Sequence, residues 1–315
     1  MRKLLLLLVI PIFISNGCKE ESSSLEKITF LHEYPSGSGL AYRDNKIYLM
    51  GDDASYMLIA DTGFNAIDTI QFFKSTEKRI AKEIKKDPEA IAIVSKNDTA
   101  FILVVGSGSS DTLRNYCWLI NPITKQQQEI RLDTFYDRLK AAGIKELNIE
   151  GATSIPSGLL LVSRGNKSYP KNHLIFTTRN FWENQSSADI HLATIGIQKD
   201  TANFEGVSGL DYSLRKDLLF LTVSTENTYN TYQDGAIGKS YLWIVKDFTL
   251  KQTYSAINPF KIIDLESIDP RFKTQKIESV ALVSDIKDGE QIILVSDDDK
   301  GGSVLFKVDL LKTKE

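Results

Sequence analysis

The sequence is poor in the residues that build disulfide, metal-thiolate and imidazole chemistry. Its 315 residues include only two cysteines and three histidines, which argues against a disulfide framework, a Cys/His zinc site and a mechanism using several imidazoles. It also lacks an excess of positive charge, because 38 lysines and arginines are set against 41 aspartates and glutamates. We therefore expect no nucleic-acid partner, since phosphate-backbone binding needs such an excess. The remaining composition, 42% hydrophobic and 25% charged, is that of a globular protein.

The longest apolar run lies at the N-terminus, at residues 4–14, directly after a positively charged start. Pro11 interrupts the run, which is too short to span a bilayer as a stable helix. The small residues that follow end in Cys18. This segment resembles a bacterial lipobox, in which the cysteine is lipidated and becomes the first mature residue, although Ser15 stands where the pattern usually has leucine.

We therefore predict a lipoprotein signal peptide at residues 1–17, followed at 18–24 by the lipidated Cys18 and a polar tether. An ordinary secretory signal with an incidental cysteine is the alternative interpretation. The lipid predicts a protein of the cell envelope, anchored to the outer membrane. The acidic residues after Lys19 resemble an export tag that directs some lipoproteins to the cell surface. The sequence does not decide between the periplasmic face and the outer face of the outer membrane.

The strongest internal signal is a repeated motif in which small and apolar residues follow a glutamate. The four copies with the glutamate begin at Glu89, Glu150, Glu205 and Glu278. A fifth copy begins at Pro35, which replaces the glutamate. Each copy continues into a tight polar turn and then into further apolar strands. Strand-forming repeats of this length are typical of a β-propeller.

We predict an all-β fold in a single domain, residues 25–315, with five four-stranded blades. The last repeat ends without a fourth strand, so we expect the N-terminal strand at Leu25–Tyr34 to complete that blade and close the ring. Six blades are the alternative. Thr76–Lys86 and Thr134–Ala142 are expected to be helices between blades, and a disordered loop is an equal alternative for the first.

The glutamates are expected at the start of the innermost strand of each blade. Because the second strand returns beside that start, its polar end must lie at the same mouth of the central channel. The long insertions between blades also exit there, and elaborated loops over a rigid scaffold commonly carry binding and catalysis. The residues of these ends that occur in only some blades are the candidates for ligand binding: Asp53, Arg164, Asn166, Glu226, Asn227 and Asp298.

Several carboxylates near one axis repel one another unless protonation, Arg164 or a divalent cation compensates. Calcium suits a site made only of oxygen ligands, so Ca²⁺ is the expected cofactor. The candidate metal ligands are Glu89, Glu150, Glu205, Glu278, Asp52 and Asp297. The alternative is that each glutamate accepts backbone hydrogen bonds from a neighbouring blade and holds the ring together.

The repeated Glu-Gly-Val-Ser motif and the final unit, from Glu278 to Asp298, resemble the phytase-like propellers, a family labelled for an esterase-like activity of phytase. The resemblance covers most of residues 35–310 as a pattern. It implies a calcium-bearing propeller and hydrolysis of esters or phosphoesters. Basic residues near the expected mouth are sparse, however, whereas a highly phosphorylated substrate needs a cationic cradle. They are Arg114, Arg164, Lys167 and Lys300.

Two functions follow from these observations. The first is a monomeric envelope protein that binds a small molecule, a glycan or a partner protein at the channel mouth. The second is a metal-dependent hydrolase of ester or phosphoester bonds. The sequence contains no nucleophile elbow, phosphate loop or dinucleotide fingerprint, and it identifies no catalytic residue.

Overall fold

A computed structural model of the chain describes residues 21–73, 75, 77–110, 113–196, 204–226, 237–286, 289–297 and 301–313. These residues form five small sheets arranged as the blades of a β-propeller, which confirms the predicted fold. In the described part of the chain, no helix has the length and apolarity that crossing a membrane requires.

The strands of each of the first four blades follow one another in the chain, except that a short strand of the third blade interrupts the fourth. The first blade consists of β2 (Gly37–Arg43), β3 (Lys46–Gly51), β4 (Tyr56–Asp61) and β5 (Ala66–Gln71). The second consists of β6 (Pro88–Lys96), β7 (Thr99–Gly106), β8 (Tyr116–Ile120) and β9 (Gln127–Arg131). The third consists of β10 (Ile149–Ile155), β11 (Gly158–Ser163), β12 (Asn172–Thr177) and β13 (Ile190–Ile195). The fourth consists of β14 (Glu205–Ser213), β15 (Leu218–Glu226), β16 (Ile237–Lys246) and β18 (Lys261–Asp264).

The fifth blade is built from both ends of the chain. Its strands are β19 (Lys276–Ile286), β20 (Gly289–Asp297), β21 (Ser303–Thr313) and, on the outside, β1 (Glu21–Leu31). β1 runs antiparallel to β21, with Leu31 opposite Ser303. The predicted closure by an N-terminal strand is therefore confirmed, and five blades replace the alternative of six. Closure in this way leaves no unpaired edge on β21.

The strands β2, β6, β10, β14 and β19 form the innermost ring, since each contacts the inner strands of the two neighbouring blades. Their close approach explains the small residues of the repeated motif. A Cβ atom added to Gly209 would lie 2.8 Å from the carbonyl oxygen of Glu278 and 2.8 Å from the Cα of Ser279. Such contacts are shorter than any side chain tolerates, so the ring needs glycine there.

The hydrophobic core is divided into five clusters, and each lies between two adjacent blades. Leu103 of the second blade and Leu161 of the third, for example, belong to one cluster. Alternate residues of a strand point to opposite faces of the blade. Because both faces of a blade are covered by neighbours, the middle strands are apolar throughout, as in β11, whose six residues are all buried.

Small hydroxyl side chains join the inner strands of adjacent blades. The Ser38 hydroxyl donates to the carbonyl of Pro88, the Ser208 hydroxyl donates to the carbonyl of Ile277, and the Ser279 hydroxyl accepts from the backbone N–H of Leu40. Thr153 adds a hydrogen bond to Asp211 of the next blade at 2.8 Å. Serine and threonine side chains therefore supply part of the hydrogen bonding between the blades.

One of the two predicted helices is present. The helix α1 (Asp133–Ala141) follows the second blade and buries Phe135, Tyr136 and Leu139, which confirms the helix expected at Thr134–Ala142. Fourth strands were expected near residues 66, 128, 191 and 260, and each is found within two residues of its expected start. A short strand, β17 (Ala256–Ile257), pairs in parallel with β13 and extends the third blade.

The helix expected at Thr76–Lys86 is wrong over the residues that the structure describes there, 77–86. This segment consists of bends, a turn and a single bridge between Ala54 and Arg79. The backbone N–H of Ile80 donates to the carbonyl of Asp53, and the Ile80 side chain is buried. Tertiary contacts with the first blade therefore outweigh the helical propensity of this lysine- and glutamate-rich segment.

Candidate functional site

The glutamates of three repeats lie at irregularities of the inner strands. The end of the channel at which β2, β6, β10, β14 and β19 begin is called the acidic mouth here, and the opposite end the turn mouth. At the acidic mouth, the ladder between the first and second strands of a blade shifts register at Glu89, at Glu150 and at Glu278. A β-bulge leaves its extra residue outside the regular pairing and re-aims its side chain.

Glu205 differs from these three glutamates. It lies opposite Thr225 in the regular ladder of β14 and β15, and the register shift of this blade falls at Ser208 instead. Burial raises the pKa of the Glu205 carboxyl. Among the described residues, no side chain forms a hydrogen bond or ion pair with it. The equivalence that the sequence motif predicts for Glu205 therefore does not extend to its backbone setting.

Three carboxylates from two blades converge at the acidic mouth. Asp52 follows the end of β3, while Asp87 and Glu89 lie at the start of β6. One oxygen from each lies within 4.8 Å of the other two, the only such trio found in the described part of the chain. Asp52 and Glu89 are predicted site residues, whereas Asp87 was missed. No strand pattern identifies Asp87, because it precedes β6 with a φ of 55° and Glu89 lies at a register shift.

Two basic side chains balance this acidic trio. The Nζ of Lys85 donates to Asp52 and lies 2.9 Å from Asp87 Oδ1. Arg114 Nη1 lies 2.8 Å from Asp87 Oδ2, which also accepts a hydrogen bond from the Ser107 hydroxyl at 2.6 Å. Asp87 and Arg114 are buried. The site is therefore a compact network of three carboxyl groups and two cations.

Two carboxyl groups of the trio keep raised pKa values beside these cations. The pKa of Glu89 is raised well above its usual value by burial, then by the charges of Asp87, Asp52 and Glu150. The pKa of Asp52 is also raised by burial, against the attraction of Lys85. Burial alone would lower the pKa of Lys85, but the surrounding carboxylates raise it, so this ammonium stays charged.

A second ion pair lies beside the trio. Asp53 is buried, and Arg79 Nε lies 2.6 Å from its Oδ2. Arg79 also donates to the Ser36 hydroxyl at 3.2 Å. The remaining oxygens, Oδ1 of Asp52 and Oδ1 of Asp53, are buried without a hydrogen-bond partner among the described residues. Two carboxylate oxygens at this mouth are therefore available to a further donor or cation.

Arg164 neutralises the neighbouring glutamate, as one of the sequence alternatives expected. Its Nη1 lies 3.8 Å from Oε1 of Glu150, which also accepts from the side chain of Asn148. Arg164 further donates to the Ser224 hydroxyl at 3.4 Å. Its guanidinium fills the space beside Gly206, where an added Cβ would lie 2.3 Å from Nε. The glycine of this repeat therefore makes room for the arginine.

The other predicted residues have separate surroundings. Lys276 Nζ lies 2.8 Å from Oε1 of Glu278. Asn166 orders its own loop, since it donates to Glu146 at 2.5 Å and accepts from the backbone N–H groups of residues 168 and 169. The hydrogen bond and the charge of Asp53 raise the pKa of Arg79. The charge of Asp297, which lies at the end of β20, adds to this effect. Asp297 thus belongs to the electrostatic surroundings of the ion pair between Arg79 and Asp53.

Several predicted residues lie outside what the structure describes. They are Asn227, Asp298 and Cys18, together with the signal peptide; Glu226 ends β15, but its side chain is not described. The basic residues that sequence reasoning missed are Arg79, Lys85 and Lys276. The first two lie in an insertion whose path depends on tertiary contacts, so no local pattern identifies them.

The donor set suits a hard divalent cation, because every ligand atom is a carboxylate oxygen. The unpartnered Oδ1 of Asp52 supports this fit. The ammonium of Lys85 already pairs with Asp52 and Asp87. A divalent cation would therefore compete with this ammonium for both carboxylates. Asp52, Asp87 and Glu89 are thus able to bind either the built-in ammonium or an external cation.

The fold defines a five-bladed β-propeller with an acidic mouth, a class that carries many functions. Within this class, the model of a family described as "Family of unknown function (DUF6929)" matches residues 33–310. The chain belongs to this family. No curated protein matches the chain in sequence.

Solved structures share the architecture at low sequence identity. Glutaminyl cyclase from Myxococcus xanthus is similar with a TM-score of 0.52 and 7% identity, over 93% of this chain and 98% of the other. Arabinanase from Bacillus subtilis has a TM-score of 0.46 and 11% identity, over 89% of this chain and 96% of the other. Virginiamycin B lyase from Staphylococcus aureus has a TM-score of 0.41 and 12% identity, over 92% and 100%. The likeness to glutaminyl cyclase shows the fold alone.

Proposed function

We propose that this protein is a lipid-anchored envelope β-propeller whose acidic mouth binds a ligand with the help of a hard divalent cation, with Ca²⁺ as the expected ion. The observation that carries the proposal is the trio of Asp52, Asp87 and Glu89. Burial and the neighbouring carboxylates hold the pKa values of Asp52 and Glu89 above their usual range. A cation with two charges would relieve this repulsion more fully than Lys85 does.

The proposed ligand is a small molecule, a glycan or a partner protein that approaches the acidic mouth. The residues outside the trio that would meet it are Asp53 and Arg164. Arg79 would meet it as well, since half of its side chain is exposed above Asp53. The lipid on Cys18 would hold this mouth at the outer membrane.

Competition between Lys85 and calcium gives the sharpest test. Replacing Lys85 with methionine removes the ammonium and leaves Asp52 and Asp87 uncompensated. Removing one partner of such an ion-pair network costs on the order of 3 kcal/mol. We expect Lys85→Met to lower the melting temperature without calcium and to show a larger calcium-induced rise in melting temperature than the parent protein.

The matched control is Lys125→Met, which removes a lysine whose ion pair with Asp68 is exposed. This variant should keep the melting temperature and calcium response of the parent protein, because exposed pairs contribute little. The same melting temperatures are measured with magnesium in place of calcium and with a chelator that removes divalent cations. If calcium shifts neither the parent protein nor Lys85→Met, the trio is a closed ion-pair network and the cation proposal is wrong.

A second candidate function, ester or phosphoester hydrolysis, draws support from Glu89. A carboxyl group whose pKa is raised keeps a proton for donation to a higher pH than an exposed glutamate does. The phytase-like resemblance belongs to this candidate. The basic residues of the mouth weigh against a highly phosphorylated substrate, because Lys85, Arg114 and Arg79 are already paired with carboxylates. Turnover in an esterase and phosphatase panel, lost in Glu89→Gln, would favour hydrolysis over binding alone.

A further inference from the structure

A cavity of about 280 Å³ lies at the turn mouth, at the opposite end of the inner strands from the acidic trio. Four blades contribute to it through the ends of β2, β6, β10 and β14. Its wall is largely apolar, with Ile93, Ile155, Pro156 and Leu214 among the lining residues. The side chain of Leu214 is 72% exposed and adds apolar surface to this wall.

Two arginines, Arg43 and Arg179, also line this cavity. Arg43 shares its charge with Asp44, whose Oδ2 lies 3.0 Å from Arg43 Nε, and its side chain remains 44% exposed. Arg179 is exposed, and among the described residues its guanidinium forms neither an ion pair nor a hydrogen bond. The cavity therefore has one uncompensated positive charge and one partly compensated charge.

The acidic residue closest in sequence to the lining residue Tyr212 does not cancel this charge. Asp211 accepts one hydrogen bond from Thr153 and another from the backbone N–H of Leu282. The Tyr212 hydroxyl itself donates to Asp217, which also accepts from the hydroxyl of residue 249. These carboxylates are committed to donors of the protein, so the guanidinium of Arg179 faces the cavity without such a partner.

We propose that the turn-mouth cavity binds a small organic anion, namely a carboxylate with a short apolar chain. A guanidinium offers paired N–H donors that match the two oxygens of a carboxylate. The apolar wall would cover the chain of the ligand. The volume lies just below the usual range for ligand sites, about 300–1,000 Å³, so the ligand must be small.

This site is independent of the acidic mouth. The two ends differ in charge, and the length of an inner strand of about seven residues separates them by roughly 20 Å. Binding at the turn mouth needs neither a divalent cation nor Asp52, Asp87 or Glu89. Failure of one proposal therefore leaves the other unaffected.

The test uses hexanoate as the probe, with hexanamide as its uncharged counterpart and hexylammonium as its cationic one. Ligand-detected NMR and calorimetry would measure binding to the parent protein and to Arg179→Gln. Loss of a charge-assisted hydrogen bond typically costs tenfold or more in affinity. We expect hexanoate to bind the parent protein, to bind Arg179→Gln at least tenfold more weakly, and to bind better than both counterparts.

Arg271→Gln is the matched control, since Arg271 is an exposed arginine outside the cavity whose partner is Asp269. It should bind hexanoate as the parent protein does. The exposed position of Arg179 means that its replacement should leave the melting temperature unchanged, which separates lost binding from lost folding. Three results would each overturn the proposal: no hexanoate binding at tens of millimolar, equal binding by Arg179→Gln, or equal binding of hexanamide.

Discussion

The pKa of Glu89 depends on how its blade packs against the two neighbouring blades. It lies in the second blade, yet Asp52 of the first blade and Glu150 of the third both raise its pKa. Burial has the largest effect. This carboxyl group is therefore protonated over a pH range in which an exposed glutamate is ionised.

The consequence for stability follows from proton binding. Above the ordinary pKa of 4.5 and up to the raised value, the folded protein holds a proton that the unfolded chain has released. Stability must then fall as the pH rises through this interval. We expect Glu89→Gln to flatten that fall and to raise the melting temperature at pH 8 by about 2–4 °C, the shift that corresponds to about 1 kcal/mol.

Thermal melting between pH 4 and pH 9 would measure this effect. Glu26→Gln, an exposed glutamate of β1, is the control and should leave the pH profile as in the parent protein. A Glu89→Gln variant that is less stable than the parent protein at pH 8 would contradict the assignment. It would mean that the ionised carboxylate of Glu89 stabilises Lys85.

At the scale of elements, ring closure depends on one terminal strand. β1 covers the outer edge of β21, and its side chains Leu25 and Ile28 pack against the core of the fifth blade. Without β1, the backbone N–H and C=O groups of β21 would form an open edge. The strand therefore contributes both apolar burial and protection from edge pairing.

We expect a chain that begins at His32 to melt well below a chain that begins at Glu21. Loss of the buried apolar side chains and of the ladder should cost on the order of 5 kcal/mol, or roughly 10 °C or more. The shortened chain should also scatter more light, because its exposed edge recruits other copies. Equal melting temperatures and equal scattering would show that β1 is dispensable for closure.

The insertion that precedes β6 contributes basic side chains to the site only because it packs against the first blade. Its residues Arg79 and Lys85 bind carboxylates that the first blade presents, and Lys85 also binds Asp87 of its own segment. The buried Ile80 holds the segment in place. A regular helix would present these three side chains on a different surface. The non-helical path of the segment therefore allows the ion pairs to form, and the ion pairs in turn stabilise that path.

For the whole molecule, a lipid on residue 18 would decide where both channel mouths are presented. Residue 18 lies outside the described residues, so lipidation stays a prediction. Residues 21–24, which the sequence pattern assigns to the polar tether, belong to β1 of the fifth blade, because their backbone pairs with the end of β21. A propeller anchored in this way would stay within a short distance of the membrane surface.

We expect Cys18→Ser to abolish incorporation of a labelled fatty acid and to release the protein from the membrane fraction. Cys117→Ala is the matched control, because Cys117 is a buried thiol of the core, and burial raises its pKa. That variant should retain the label and the membrane association. Label retained in Cys18→Ser would contradict the lipoprotein interpretation and leave an ordinary secretory signal.

The repeated motif by itself determined the architecture of this protein. Its four glutamate copies and the copy at Pro35 predicted five blades, and the unpaired apolar segment at residues 25–34 predicted the closing strand. These features are local or periodic, and period-two strands with tight turns leave a recognisable pattern in any chain. The candidate residues Asp52 and Glu89 followed from the same logic, because the first and second strands of a blade must meet at one mouth.

Only the tertiary structure decided how the site is composed. Asp87, Lys85 and Arg79 join it from an insertion without a periodic pattern, and Glu205 lies in a regular ladder whereas the other three glutamates lie at register shifts. Which charges meet depends on loop paths and on one-residue register shifts. The energies that select them come from burial and from Coulomb interactions between groups far apart in sequence, and a local pattern contains neither.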